Sequence, residues 1–308
     1  MTDWFPTALR FCLYSDLTLL FGISAFGLYV NGPNGANGLG RPQVSGRLLF
    51  VLAVAGIALS LFNLVQSTAA MSGVAMGHVD RETLRFVIEE TSVGVAMIAR
   101  ILALAIGSLL VWRHLVVTGA SLWGVTALAS FALGSLAWTG HGAMNEGGAG
   151  LLHLGTDIFH LLAAGGWIGA LFMLLRLAIG AGRESVDHVH AAHAALAGFS
   201  RAGTALVGTI ILTGLVNGWM IVGPDNWRAL PTSLYGQLLL AKLLLFIAML
   251  GLASVNRFRL TPGLERAIAA GNWGQAGRAL RTSILVESGC AILILAIVAS
   301  LGMLEPPA

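Results

Sequence analysis

LLHLGTDIFHLLAAGGWIGAL, residues 151–171, is apolar enough for most of it to sit in lipid, yet it carries His153, Asp157 and His160 at spacings of four and three. On an α-helix, positions i, i+4 and i+7 share one face. The three side chains therefore form a stripe about 10 Å long at 1.5 Å per residue, and Ala164 and Trp167 continue it. Ionisable groups inside a bilayer are costly and are tolerated where they face a bundle interior or a water-filled cavity. The stretch predicts a spanning helix, span 5, that starts in a loop and turns a polar face inward.

The rest of the chain agrees with a bilayer as solvent. Of 308 residues, 56% are hydrophobic and 10% charged, against about 25% charged in soluble domains. Mean hydropathy is +0.83. A spanning helix needs about 20 mostly apolar residues, and eight segments qualify, at roughly 7–30, 47–70, 91–112, 116–139, 154–178, 201–222, 235–255 and 283–304. The expected fold is all-α, a polytopic membrane helical bundle forming one integral membrane domain over 1–308. Arg113 and His114 mark a tight hairpin between spans 3 and 4. Cys12 and Cys290 both lie in apolar stretches, so neither a disulfide framework nor a zinc knuckle is expected. The N-terminus lacks a basic region ahead of a short apolar core, and no cleaved signal is expected. Glycine is abundant, and small residues in GWIGAL and GTALVGTIILTG allow close helix contact.

Arginine placement sets the expected orientation. The loops after spans 1, 3, 5 and 7 hold Arg41, Arg47, Arg113, Arg176, Arg183, Arg201, Arg257, Arg259, Arg266, Arg278 and Arg281, while the opposite side holds Arg81, Arg85 and Arg228. The positive-inside rule puts the first set in the cytoplasm and both termini in the periplasm of a bacterial inner membrane. The sequence pI of about 9.3 reflects this one-sided arginine and not nucleic-acid binding. The basic, amphipathic segment 256–282 reads as a surface helix.

Four further charged residues fall within spans: Asp16, Arg100, Lys242 and Glu287. Internal pairing would make them tolerable, Asp16 with Arg100 or Lys242 and Glu287 with Arg278 or Arg281; they could also line a polar path. One rod-like stripe cannot give three ligands to one metal, so a second helix or loop must add to Asp157 and His160 or to His153 and Asp157. His141 and Met144 in GHGAMNEGG and Met76 and His78 in AAMSGVAMGHVD lie on the same side. Imidazole with thioether suits copper, as Cu(I) or Cu(II). His188, His190 and His193 read as a solvated loop without a zinc-site spacing.

GHGA, DIFHLLAAGGWIGAL, FSRAGTALVGTIILTGLVNGW, LYGQLLLAKLLLFIAMLGLASVNRFRLTP and LRTSILVESGCAILILAIVASLGMLEPP occur in order from residue 138 to the C-terminus. Together they resemble the CopD/PcoD family of bacterial inner-membrane copper resistance and homeostasis proteins, most closely over 138–306. The resemblance implies copper transport or handling, inward from a separate periplasmic CopC-like carrier, since no such β-domain is present in the chain. There is no P-loop for a nucleotide, and no enzymatic activity is expected. Two other readings use the same residues: a b-type haem redox protein, or a copper-holding assembly protein that transports nothing.

Overall fold

A computed structural model of the protein describes residues 4–31, 43–140, 147–181, 186–224, 226–271 and 274–306. These residues form ten α-helices: α1 (Trp4–Asn31), α2 (Gly46–Ser72), α3 (Arg81–Glu90), α4 (Ser92–Val111), α5 (Gly119–Gly134), α6 (Gly147–Ala181), α7 (Val186–Val222), α8 (Leu234–Val255), α9 (Thr261–Ala269) and α10 (Gly274–Leu301). Eight of them, all but α3 and α9, are long and apolar enough to cross a membrane. The protein is a multi-pass helical bundle. Its two ends differ: one carries Trp4 and Leu301 and is called here the termini end, and the other is the arginine end.

α1 is the central post. Leu13, Leu17, Leu20 and Ile23 are almost wholly buried, and the helix packs against α2, α5, α6 and α10. Its closest neighbour is α6, for a reason readable in the residues. A β carbon on Gly22 or on Gly169 would overlap the other helix's backbone, and Gly165 adds a second small step one turn away. Small residues let two membrane helices touch backbone to backbone, where van der Waals packing replaces the missing hydrophobic drive. α7 lies along α6, and α8 joins α10 on the rim. At the arginine end, the α4–α5 link pairs with the start of α2: Val117 N–H donates to the Val44 carbonyl at 3.0 Å and Gly46 N–H to that of Leu115 at 3.1 Å.

Several expected boundaries move. α6 begins at Gly147 and not after residue 153, so His153 stands on the helix itself. The polar stretch between spans 2 and 3 holds a short helix, α3: Asp80 caps it by accepting from Thr83 N–H at 2.7 Å, and Leu84, Val87 and Ile88 pack with Leu64 and Met97. The backbone of DHVHAAHAAL is helical and continues into α7, correcting the loop expected around His188, His190 and His193; their side chains lie outside the described residues. Segment 256–282 holds a five-residue π turn at Asn256–Leu260, then α9, then the first turns of α10. Because α10 starts at Gly274, Glu287 sits about three and a half turns into the helix and not one turn from its end.

Candidate functional site

Asp157 and His160 face α7, the helix packed along α6. The Asn217 amide donates to Asp157 Oδ1 at 3.3 Å and accepts from the Thr156 hydroxyl at 2.8 Å. His160 Nδ1 lies 2.9 Å from Thr213 Oγ1. That hydroxyl also lies 2.6 Å from the Thr209 carbonyl; with its proton there it accepts from Nδ1–H of a neutral His160, the tautomer that leaves the Nε2 lone pair for a ligand. Gly214 lies against the ring as well: a β carbon there would stand in ordinary contact, 3.5 Å from His160 Cε1. Sequence reasoning missed these partners, although Thr209, Thr213 and Asn217 recur every four residues along an otherwise apolar span.

α8 contributes Lys242, whose charge acts on both Asp157 and His160. Among the described residues the one ion pair within 4.0 Å is Arg85–Glu89, at 2.9 Å on the exposed face of α3. The pairings expected for the buried charges therefore do not form. Arg100, fully buried, donates from Nε to Ser135 Oγ at 2.7 Å and from Nη2 to the Ser135 carbonyl at 3.3 Å. Asp16 lies against Gly56 of α2. Glu287 accepts from the Trp167 indole N–H at 3.1 Å and from the Asn256 amide at 3.0 Å. At Glu287 neutral donors stand where a cation was expected, and they satisfy the carboxylate without burying a second charge.

The expected external ligands scatter. His153 is buried on the stripe. Met76 and His78 sit in a short turn after α2, His78 exposed. His141 and Met144 lie outside the described residues, but Gly140, the residue before His141, reaches the site: a β carbon on it would stand 3.9 Å from Asp157 Oδ2. No three His, Cys, Asp or Glu side chains among the described residues come together as a metal-ligand group. The stripe continues inward to Trp167, which packs edge-on to Phe246 with ring centroids 6.0 Å apart. Below it a cavity of about 440 Å³ lies between α6, α7, α8 and α10.

Residues 1–151 match the family described as copper resistance protein D-like, N-terminal domain, and residues 193–301 match copper resistance protein D. Copper resistance protein D of Pseudomonas syringae pv. tomato is 40% identical over 307 residues, 99% of this chain and 98% of that protein. The chain belongs to the copper resistance protein D family. It also resembles the inner membrane protein YebZ of Escherichia coli K12, 33% identical over 134 residues, 42% of this chain and 43% of YebZ. No solved structure matches this copper resistance protein D homologue. The N-terminal match covers the α1–α5 half, where the sequence resemblance was loose.

Proposed function

We propose that this protein handles copper at the bacterial inner membrane, capturing the ion at the termini end and passing it inward, with both termini in the periplasm. The observation that carries the reading is the α6–α7–α8 wedge, where Asp157 and His160, one turn apart on α6, are held by Asn217 and Thr213 of α7 and both feel the charge of Lys242 on α8. Asp157 and His160 are the core of the site. His141 and Met144, the next histidine and methionine after Gly140 in the sequence, are assigned to it as well, His153 extends it along the stripe, and Met76 with His78 receives the ion first. Imidazole and thioether donors fit Cu(I) or Cu(II). Lys242 offsets the Asp157 charge from beyond ion-pair distance. Asp16 and Arg100 brace the neighbouring half-bundle. The copper source is a separate CopC-like periplasmic carrier, and the names of the two relatives support both copper and the inner membrane.

The test is copper content and copper flux in proteoliposomes, with His160→Ala beside the unmodified protein at equal reconstitution. Loss of bound copper and of flux in the variant is the expected outcome; normal flux would sink the site. A bis-histidine haem needs imidazoles from two facing helices; among the described side chains His153 stands on the same helix as His160, and His78 and His114 lie in turns at helix ends, so this geometry gives that reading no support; a Soret band that His160→Ala removes would reverse that conclusion.

A further inference from the structure

The cavity below Trp167 has its own chemistry. Its walls are mostly apolar, with Leu171, Leu174, Phe199 and Leu250 among them, and Glu287 and Asn256 stand where α10 and the π turn meet. Glu287 is 2% exposed, and both its oxygens accept from neutral donors. Asn256 is positioned by the π turn, where Thr261 donates from its hydroxyl to the Asn256 carbonyl at 2.8 Å. Short π segments recur at functional sites. Having given its amide N–H to Glu287, Asn256 keeps Oδ1 buried without a protein partner. An acid and an unpartnered acceptor thus face one cavity, and exposed Arg257 and Phe258 line its rim at the arginine end.

The geometry points to a proton-binding site: Glu287 takes up and releases a proton through this cavity from the arginine end, with Asn256 Oδ1 accepting from the water that carries it. A carboxyl this deep, with no cation within 4.0 Å among the described residues, is stabilised by gaining a proton, because a buried unpaired charge is costly. Glu287 and Asn256 bring neither imidazole nor thioether to the cavity, which separates this site from the stripe. The charged and titratable groups on the elements packed around it are few. Arg257 on the π turn lines the cavity and donates to the Thr204 hydroxyl. On α10, Arg278 and Arg281 lie about two turns toward the arginine end and Cys290 about one turn the other way. Arg259, Glu265 and Arg266, on the π turn and α9, and Arg176 and Arg201, on α6 and α7, are exposed. Lys242, Asp157 and His160 belong to the copper site. On α1, Arg10, Cys12, Tyr14 and Asp16 lie in the half nearer the termini end, and Tyr29 donates to the Gly198 carbonyl. Since Trp167 joins the stripe to Glu287, protonation there would couple to copper passage; that extension rests on the proposed copper reading.

The test needs no copper. Infrared difference spectra of the metal-free, full-length protein in lipid, recorded across a pH titration, read the carbonyl stretch of protonated carboxyls. One such band is expected to vanish in Glu287→Gln and to persist in Asp16→Asn and Asp157→Asn. Asn256→Ala removes a donor to the ionised form, so the band's midpoint should move up by about one pH unit. Should Glu287→Gln fail to fold, Glu287→Asp must move the same band. A titration unchanged in the Glu287 variants overturns the proposal and leaves the copper site standing, because Asp157 and His160 are read by metal content.

Discussion

At Thr213 a single hydroxyl decides what His160 can do. With its proton on the Thr209 carbonyl it accepts from Nδ1–H of the imidazole, which leaves Nε2 as the atom that can bind a ligand. Thr213→Val keeps the shape and removes the acceptor. Copper affinity is expected to fall about 10–100-fold, the usual effect of losing a partner that orients a ligating histidine, while the fold survives; equilibrium copper binding on purified protein measures it. Asp157→Asn should lose bound copper as well, because the amide brings no charge to the cation. His160 and Asp157 were legible in the sequence as an inward stripe. Thr213, Asn217 and Asn256 were not, since a polar uncharged residue in an apolar span has many uses until the facing helix is known.

Between elements, the tightest joint is α1 against α6. Gly22 and Gly169 meet backbone to backbone, so Gly22→Ala or Gly169→Ala should destabilise the bundle by about 1–3 kcal/mol, the cost of overpacking, whereas Gly208→Ala, with open space around it, should not. Thermal unfolding in one detergent compares the three. α3 depends on a different device. The Asp80 carboxyl is held below its ordinary value of 3.8, first by the Thr83 backbone N–H. A lowered value in the folded state means the cap is present at neutral pH and is lost as pH falls through that lowered value. Asp80→Ala should therefore raise amide exchange in the first turn of α3 at neutral pH, as acid does in the unmodified protein. The capping signal Asp80-Arg81-Glu82-Thr83 stood in the sequence, but ten residues between two long spans read as a mere break until Leu64 and Met97 gave its apolar face a partner.

Across the whole molecule, eight spans put both termini on one side. The proposed orientation, argued from arginine asymmetry, puts that side in the periplasm. A C-terminal reporter that matures only in an oxidising compartment is expected to be active, and a reporter inserted in the α9 region inactive; the reverse pattern would turn the bundle over and with it the proposed direction of copper flow. The molecule also separates its chemistry by depth. The His160–Asp157 wedge lies toward the termini end and the Glu287 cavity toward the arginine end, with Trp167 and Phe246 between them.

The sequence by itself determined the solvent, the number of spans and the stripe of span 5, because hydropathy over about 20 residues and helical periodicity are local properties of the chain. It also carried the family resemblance. Only the tertiary structure decided which neighbours the buried charges would meet. Arg100 found Ser135 and Glu287 found Trp167 and Asn256, in place of the ion pairs that charge counting suggests. The reason is physical: inside a bundle, a partner is chosen by the depth and facing of helices far apart in sequence, and a neutral donor already at the right depth satisfies a carboxylate without burying a second charge.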